Sequence, residues 1–368
     1  MAEGAFAAMA DVLRMAIVGT GWAGRRQAQA VCELDGRVEV VALVDRDADH
    51  LAATAAELGM TRTATDLATV LIDPAVDAVS ICTPHDLHAP MALEAIAAGK
   101  HVLVEKPMAT SVADATRMVE AADRAGVTLY VAENHPYEAR HGALRRIVRS
   151  GEHIGELTFA ACIAGYRAPS PAYAGRRSWL THPTAGGTGT WTLQGIHTVA
   201  ALRYVLGEVV SVYLLDHRAR SFERADIEAT MSGVVELESG VVVWLVQTTE
   251  THLKPLLSGF RLYGDAGVVV GRDEAYEVYQ GDPSEDDQPH VLPYPEQRLS
   301  TYALELEAFA ETVAGRTIGP TTGLSERRSL AVIEAGYESA RTRRPVDLRE
   351  RFPGIWAPAE GAPARLTS

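Results

Sequence analysis

The chain has 368 residues, more than a single hydrophobic core usually supports, so its length predicts two domains. Its composition, 47% hydrophobic and 22% charged, is typical of globular proteins and excludes general disorder. The formal net charge of −14 repels phosphate backbones and anionic lipids, and the longest apolar runs fall far short of the roughly 20 residues of a bilayer span. Nucleic acid and membranes are therefore not expected as partners.

The first fourteen residues and the cysteines point to a cytoplasmic protein. The segment 1–14 has no basic start, and charged residues interrupt its apolar part, so it is interpreted as a disordered extension and not as a secretory signal. The three cysteines, Cys32, Cys82 and Cys162, are widely spaced and form no C-x-x-C pair. They indicate neither a disulfide framework nor a zinc ribbon.

From Met15 onward, the first third of the chain alternates β-branched runs with alanine-rich helical stretches. The strand-like runs are "MAIVG", "VEVVALVD", "AVDAVSICTP", "KHVLVEKP" and "VTLYVAEN", and the helix candidates lie near 23–34, 47–58, 86–98 and 111–125. This alternation indicates βαβ units and a parallel sheet that is buried on both faces. We predict a doubly wound α/β domain over residues 15–135.

The pattern changes after a basic helix near 141–150. Longer strand candidates follow with few helices between them, and the two runs around "LESG" predict a hairpin. Residues 136–350 are predicted to form an α+β domain with a large, mostly antiparallel sheet that is open on one side. Residues 280–297 are an acidic, proline-rich loop, and 351–368 are a loose tail. Helices near 301–314 and 324–342 close the fold, and the second of these is a candidate to pack back on the first domain.

The segment "GTGWAG" has the spacing of a phosphate-binding turn. It follows the first predicted strand and precedes a helical pattern, where free N–H groups and a positive dipole end can hold a pyrophosphate. Gly19 permits the tight turn, Gly21 the approach of the pyrophosphate, and Gly24 the packing of helix on strand. The predicted cofactor contacts are Gly19, Thr20, Gly21, Trp22, Ala23 and Gly24.

Asp45 strengthens the prediction of a dinucleotide site. It ends the second strand-like run, 21 residues after Gly24, where a carboxylate accepts hydrogen bonds from the adenosine ribose. Its charge disfavours a 2′-phosphate, so NAD is the preferred cofactor. Arg46 can pair with a 2′-phosphate, which keeps NADP as an alternative.

A lysine follows the fifth predicted strand. "HVLVEKPMA" places Glu105, Lys106 and Pro107 at the edge of the sheet where doubly wound domains bind ligands. An ammonium group at that edge can hold a substrate oxygen and stabilise negative charge that develops on it. A surface lysine after a strand is the alternative interpretation.

Four motifs together resemble one enzyme family. "GTGWAG", "VDRD", "CTPHDLHAPMALEAIAAGKHVLVEKPMA" and "GGTGTWTLQGIHTVAALRYVLGE", in this order, are similar to the glucose-fructose oxidoreductase, inositol dehydrogenase and rhizopine-catabolism (Gfo/Idh/MocA) family over residues 15–345. The resemblance implies a Rossmann domain followed by an α/β domain whose sheet often serves as an oligomer interface. It also implies NAD(P)-dependent oxidation or reduction of a sugar, polyol or cyclitol carbon.

The resemblance carries roles to individual residues. It implies that Lys106 is the active-site lysine, that His197 is the catalytic histidine, and that the Lys106–Pro107 bond is cis in many relatives. It places Glu105 near the nicotinamide ribose. The other residues that it places along the cofactor are Thr83, Pro84, His85 and Asn134.

One departure from the family pattern concerns the substrate. Relatives commonly carry Asp or Asn four residues before the histidine and a second Asp three residues after it. Here these positions are Leu193 and Ala200, so a usual partner of a substrate hydroxyl is missing.

Two further segments carry candidate ligands. His85 and His88 in "HDLH" are predicted to lie at the edge of the cofactor site, and no metal site is predicted there. The loop 165–183 is a candidate substrate lid, with an oligomer contact or a solvated loop as the alternatives. The predicted substrate contacts are Lys106, Tyr166, Arg167, Trp179, Gln194 and His197.

The leading functional hypothesis is a dehydrogenase or reductase that acts on one CH–OH carbon of a carbohydrate-like substrate. A second hypothesis uses the cofactor transiently, so that a keto intermediate permits cleavage of a glycosidic bond and the hydride then returns. The third is a sugar- or nucleotide-sensing regulator without turnover, which the presence of Lys106 and His197 disfavours. A homodimer or homotetramer through the second domain's sheet is the expected assembly.

Overall fold

The computed structural model describes residues 12–165, 178–180, 189–218, 227–250, 259–272, 274–281 and 288–356. The chain divides into two compact units. The first comprises 1–143, 170–188 and 294–326, and the second comprises 144–169, 189–293 and 327–368. The sequence predicted a single boundary at 135/136, whereas the first continuous segment of the first unit ends at residue 143 and the chain returns to this unit at 170–188 and at 294–326.

The first unit is built on a six-stranded parallel sheet with the order β3-β2-β1-β4-β5-β6. Its strands are β1 (Leu13–Val18), β2 (Val38–Val44), β3 (Thr63–Ala64), β4 (Ala78–Ile81), β5 (His101–Glu105) and β6 (Leu129–Ala132). The order reverses between the neighbours β1 and β4, which creates the crevice where doubly wound sheets bind ligands. The predicted doubly wound sheet is confirmed, with β1 beginning two residues before Met15.

The second unit is built on a nine-stranded mixed sheet with the order β14-β13-β12-β11-β7-β10-β9-β8-β15. Its strands are β7 (Leu157–Gly165), β8 (Val209–Arg218), β9 (Glu228–Leu237), β10 (Val242–Thr248), β11 (Gly259–Gly264), β12 (Gly267–Gly271), β13 (Ala275–Gln280), β14 (His290–Pro293) and β15 (Val346–Asp347). Of the described strand pairs of this second sheet, only β10–β7 is parallel, and β9 with β10 forms the predicted hairpin. The expected mostly antiparallel sheet is therefore confirmed.

The helices lie close to the predicted segments. They are α1 (Trp22–Ala30), α2 (Ala48–Leu58), α3 (Leu67–Leu71), α4 (His88–Ala97), α5 (Val112–Ala125), α6 (Ala139–Ser150), α7 (Ile196–Leu206), α8 (Thr301–Val313), α9 (Gly323–Thr342), α10 (Leu348–Arg351) and α11 (Pro353–Trp356). The side chains of Asp47 and Ser111 cap the N-termini of α2 and α5, and left-handed Gly59 and Gly126 end them.

Three segments differ from the sequence expectations. β3 and α3 occupy a stretch for which no element was predicted. Part of the expected acidic loop at 280–297 forms the edge strand β14. The expected loose tail at 351–368 includes helix α11, and Phe352 and Ile355 of this tail are buried. Within the described parts of the chain, no helix combines the length and apolarity that crossing a bilayer would require.

Helix α8 completes the first unit from a distant part of the sequence. It packs against α1 and β6, and its apolar face joins Phe309 to a core that contains Ile17 and Leu103. Ser300 caps this helix by accepting a hydrogen bond from the Ala303 N–H at 3.1 Å. The carboxyl edge of the parallel sheet is thus bordered by residues more than 160 positions downstream of β6.

Candidate functional site

The glycine turn after β1 lies at the carboxyl edge of the first unit. Gly19 has a φ of +92°, and a Cβ there would lie 2.7 Å from the Cys82 carbonyl oxygen. A Cβ on Gly24 would lie 2.1 Å from the Gly19 carbonyl oxygen, whereas, apart from Gly21 itself and its two chain neighbours, no atom of the described residues lies within 4 Å of the Cβ position of Gly21. Gly19 and Gly24 are thus needed for protein packing, and the space beside Gly21 suits a pyrophosphate at the start of α1.

Asp45 holds two turns of the predicted cofactor site together. It is 8% exposed, and its Oδ2 accepts hydrogen bonds from the backbone N–H and the hydroxyl of Thr20, both at 3.0 Å. Its Oδ1 accepts from the Asp47 N–H at 3.1 Å. The neighbouring Arg46 is exposed. This arrangement fits the ribose of a dinucleotide, with a fixed carboxylate beside the glycine turn.

Asp45→Asn is expected to raise the ratio of kcat/KM with NADP to kcat/KM with NAD by at least about tenfold, or about 1.4 kcal/mol. Asparagine keeps an acceptor for Thr20 but removes the charge that repels a 2′-phosphate. Initial rates with both cofactors measure the ratio. The matched control is Asp47→Asn, which removes a carboxylate two positions away at the N-cap of α2. An unchanged ratio in Asp45→Asn would refute a charge-based preference.

The predicted loop after β4 is fixed by a buried histidine. The Nδ1 of His88 lies 2.8 Å from the Pro107 carbonyl oxygen, and its Nε2 lies 2.8 Å from the Thr83 carbonyl oxygen. The ring is fully buried, and burial lowers its pKa. His88 therefore ties the turn after β4 to the turn after β5. Its expected contact with the cofactor stays a prediction.

Trp179 of the predicted lid contacts His85 within the first unit. Their ring centroids are 4.7 Å apart in an edge-on arrangement, and His85 is buried. Tyr166 and Arg167 lie outside the described residues. Asn134 is half-buried and donates a hydrogen bond from its amide to the Thr301 hydroxyl at 2.9 Å.

Lys106 follows β5 at the same edge, and its bond to Pro107 is cis. The preceding Glu105 accepts a hydrogen bond from the Gln27 amide at 3.2 Å, and the Ser80 hydroxyl donates to the other end of Gln27. Desolvation raises the pKa of Glu105 to about 7, against the attraction of the Lys106 ammonium. A carboxyl group that titrates near neutral pH therefore lies beside the predicted catalytic lysine.

A second carboxyl group, Glu305 on α8, is buried in the same unit. It is 0% exposed, and neither of its oxygens meets a hydrogen-bond donor among the described residues. Burial raises its pKa well above the ordinary value, and repulsion from Glu105 and Glu133 raises it further. Glu133, directly after β6, is also fully buried, and burial raises its pKa as well. Because an unpaired charge in such a place costs several kcal/mol, Glu305 carries a proton.

Glu305→Gln is expected to stabilise the protein increasingly as the pH rises above about 5. The folded-state pKa of Glu305 lies above the unfolded value, so the wild type loses up to about 1.4 kcal/mol for each pH unit between the two. Glutamine does not titrate and avoids this loss. Thermal unfolding at several pH values measures the difference. Glu307→Gln, on the same helix but in an ion pair with Arg37, is the control without a pH-dependent gain. A pH-independent difference for Glu305→Gln would contradict the assignment.

His197 lies in the second unit, on the first turn of α7. A π-helical turn, Trp191–Gly195, leads directly into this helix. His197 and Gln194 are half-buried, whereas Leu193 and Ala200 are buried. The segment from 190 to 206 contains no acidic residue, so no carboxylate accompanies His197 on its own helix.

Several residues that shape these sites could not be recognised from the sequence. Gln27 lies on α1, 78 residues before Glu105 in the sequence, and the fold brings the two side chains into hydrogen-bond contact. Tyr302 packs edge-on against the exposed Trp22 at 6.1 Å, and the Arg26 guanidinium lies 5.6 Å from the Trp22 ring centre. For Glu305, one signal was available in the sequence: an acidic residue stands at a position of the α8 pattern that faces the core.

Comparison with known proteins decides the family. One family model, described as an oxidoreductase family with an NAD-binding Rossmann fold, matches residues 13–133. A second, described as the C-terminal alpha/beta domain of the same oxidoreductase family, matches residues 150–348. The chain belongs to the Gfo/Idh/MocA oxidoreductase family. The resemblance drawn from its motifs is confirmed, as are the NAD-binding domain and the assignment as an oxidoreductase.

Individual members of the Gfo/Idh/MocA family are similar along most of the chain. A 1,5-anhydro-D-fructose reductase from Ensifer adhaerens is 30% identical over 84% of this chain and 91% of its own length. A D-apiose dehydrogenase from Paraburkholderia graminis is 27% identical over 95% of this chain and 94% of its own. The crystal structure of an aldose-aldose oxidoreductase from Caulobacter crescentus, complexed with glycerol, is 25% identical, covers 91% of this chain and 99% of that one, and has a TM-score of 0.79.

Proposed function

We propose that this protein transfers a hydride between NAD and one CH–OH or C=O carbon of a cyclic, carbohydrate-like substrate. The observation that carries the proposal is the position of Lys106, at the same carboxyl edge of the parallel sheet as the glycine turn and Asp45. Ligands of doubly wound sheets bind at that edge. The names of the relatives, a reductase and a dehydrogenase of sugars, support the substrate class.

Two side chains are assigned to the reacting carbon. In the oxidative direction, the Lys106 ammonium holds the substrate oxygen and stabilises the negative charge that develops there. Neutral His197 takes the hydroxyl proton as general base. The nicotinamide, when bound, supplies the hydride acceptor. Glu105, with its pKa of about 7, adjusts the charge beside Lys106 as the pH crosses neutrality.

The apolar residues beside His197 limit the range of substrates that we expect. The side chains of Leu193 and Ala200 present no acceptor to a substrate hydroxyl, at positions where the family pattern commonly has Asp or Asn and Asp, respectively. A pocket that lacks an acceptor does not favour an extra hydroxyl over a hydrogen or an ether oxygen. We therefore expect ring substrates with fewer free hydroxyls, such as anhydro sugars, to be used better than fully hydroxylated cyclitols. Tyr166, Arg167, Trp179 and Gln194 are proposed as further substrate contacts.

A panel of sugars, anhydro sugars, inositols and glycosides, each with NAD and NADP, tests the proposed activity. Formation of reduced cofactor and breakage of glycosidic bonds are followed in the same reactions. We expect stoichiometric reduced cofactor with at least one ring alcohol, and faster turnover with NAD. Bond cleavage without net reduced cofactor would replace this proposal with transient oxidation, and binding without any turnover would replace it with a sensor.

An apolar face of the nine-stranded sheet is proposed as the contact between copies of the chain. Its register places the side chains of Phe159, Tyr213, Val242 and Trp244 on one face, and each of these side chains is exposed. Trp244 is 61% exposed, and Phe159 stacks on Tyr263 at 4.2 Å between ring centres. Contiguous exposed apolar surface of this kind is typical of protein interfaces. A homodimer or homotetramer, in the cytoplasm, fits this surface and the composition.

Trp244→Asp is expected to convert the assembled protein to a smaller species, because a charge placed in a buried apolar interface costs several kcal/mol. Light scattering coupled to gel filtration measures the molar mass. The control is Ile318→Asp, which changes a single, 85% exposed apolar residue of the other unit. A wild-type monomer, or an unchanged mass in Trp244→Asp, would rule out this interface.

A further inference from the structure

The π-helical turn before His197 is anchored in the second unit by the side chain of Trp191. This side chain is 0% exposed, and its indole N–H donates a hydrogen bond to the Ile333 carbonyl oxygen at 3.0 Å. A Cβ on Gly195 would lie 2.4 Å from the indole ring, and one on Gly336 would lie 2.6 Å from the indole nitrogen. The indole is therefore enclosed between its own turn and α9, with no room to shift.

A buried carboxyl group holds the backbone at the start of the same turn. Glu228, the first residue of β9, accepts hydrogen bonds at Oε1 from the Trp191 backbone N–H at 2.8 Å and from the Tyr337 hydroxyl at 2.9 Å. The Thr192 hydroxyl lies 3.0 Å from the Tyr337 oxygen and extends the network. Burial raises the pKa of Glu228, and these hydrogen bonds oppose that rise.

The close fit leaves only one residue type at position 189. A Cβ on Gly189 would lie 2.0 Å from the Glu228 carbonyl oxygen and 2.2 Å from its Oε2. The chain thus enters the π-helical turn in direct contact with Glu228. Glycine is the residue that allows this approach.

A second buried side chain binds on both sides of the turn. Gln247 of β10 accepts a hydrogen bond from the Thr198 hydroxyl at 2.7 Å, and its amide donates to the Thr190 hydroxyl at 3.3 Å. Gln247 is 1% exposed. Thr190 precedes the turn and Thr198 follows His197 directly, so the bonds of Gln247 bracket the segment that carries the histidine.

We propose that Glu228, with Tyr337, is a positioning residue for His197: it fixes the π-helical turn and thereby the ring that acts as general base. This inference rests on the proposed function, in which His197 takes the substrate proton. Regular α-helix does not need a carboxylate acceptor from a neighbouring strand, whereas π-helical turns are rare and are frequently found at functional sites. A displacement of a catalytic group by about 1 Å can lower the rate by about 10²-fold.

The position of Glu228 also bears on the acidic residue of the family pattern that this chain replaces with Leu193. A carboxyl group does lie against this turn, but it comes from β9 and accepts from the backbone and from Tyr337. We assign it to the protein and not to a substrate hydroxyl. Glu228 is therefore expected to affect kcat and not the KM of the sugar.

The test compares Glu228→Ala, Glu228→Gln and Tyr337→Phe in steady-state kinetics and in hydrogen–deuterium exchange of peptides covering 189–200. Glu228→Ala is expected to lower kcat by about 10- to 100-fold, to leave the KM of the sugar and the KM of NAD unchanged, and to speed exchange in these peptides. Glu228→Gln keeps an acceptor for both donors and is expected to restore most of kcat. In a His197→Ala background, Glu228→Ala is expected to lower kcat no further.

The control variant is Ser339→Ala. Ser339 is fully buried on α9 and bonds to Leu214 and Arg344, away from the turn, so its loss is expected to lower Tm without changing kcat. Wild-type kcat or wild-type exchange in Glu228→Ala would overturn the inference, as would additive losses of kcat in the double variant. If the wild type turns over no ring alcohol, the proposed function fails, and exchange over 189–200 still decides whether Glu228 holds the turn.

Discussion

His197→Ala is expected to lower kcat by about 10²- to 10⁴-fold while the affinity for NAD stays unchanged. Alanine removes the proposed general base but leaves the NAD-binding domain, which is a separate unit, intact. Steady-state kinetics give kcat, and titration of intrinsic fluorescence with NAD gives the affinity. Both are measured with the best substrate of the panel.

His217→Ala is the matched control for this variant. His217 is an exposed histidine on β8 of the same unit, so its loss is expected to change neither quantity. Unchanged turnover in His197→Ala would exclude the histidine from catalysis. A loss of NAD affinity together with kcat would indicate a folding defect instead, which the Tm of the variant would reveal.

Lys106→Met is expected to lower kcat by about 10²- to 10³-fold, the range for removing one preorganised group that stabilises charge in the transition state. Methionine keeps most of the length and the apolar stem of lysine and removes the ammonium. The measurement is kcat in the oxidative direction, together with the Kd of NAD. We expect the Kd to change far less than kcat, because the glycine turn and Asp45 hold the dinucleotide.

Lys100→Met is the control for the loss of an ammonium group in the first unit. Lys100 donates hydrogen bonds to the carbonyl oxygens of Asp73 and Val76, at 2.8 Å and 2.7 Å. Its replacement is expected to reduce stability and to leave kcat unchanged. Equal losses of kcat in both variants would mean that Lys106 contributes only to the fold.

The parallel-sheet unit was predictable because its information is local. Continuous β-branched runs, helix caps such as Asp47 and Ser111, and the glycine spacing each lie within a few residues of the structure that they specify. These local signals also predicted that the residues directly after the strands lie along one edge of the sheet. The return of α8 to this unit could not be predicted, because it depends on the packing of Phe309 into a core whose other residues are distant in the sequence.

The polar contacts behind the predicted site were not predictable from spacing. Gln27 meets Glu105 across 78 residues, and Glu228 meets Trp191 across 37. Neither position carries a motif, and each side chain alone is an ordinary polar residue of a helix or strand. The π-helical turn likewise depends on how Trp191 packs against Gly195 and Gly336, which no periodicity in the sequence records.

The apolar substitutions beside His197 were evident from the sequence as departures from the family pattern. The structure adds that Leu193 and Ala200 are buried. It also shows that the nearby Glu228 carboxyl group accepts hydrogen bonds from Trp191 and Tyr337. We therefore expect that α7 offers no carboxylate to a further hydroxyl of the substrate.

Transfer of deuterium from a specifically labelled ring alcohol to NAD distinguishes net hydride transfer from transient oxidation. The best substrate of the panel, labelled at the carbon that bears the reacting hydroxyl, is incubated with the protein and NAD, and the recovered nicotinamide and sugar are analysed by mass spectrometry. We expect deuterium at C4 of the reduced nicotinamide and a ketone or lactone as product. Deuterium that is retained in, or returned to, the sugar while a glycosidic bond breaks would contradict this expectation.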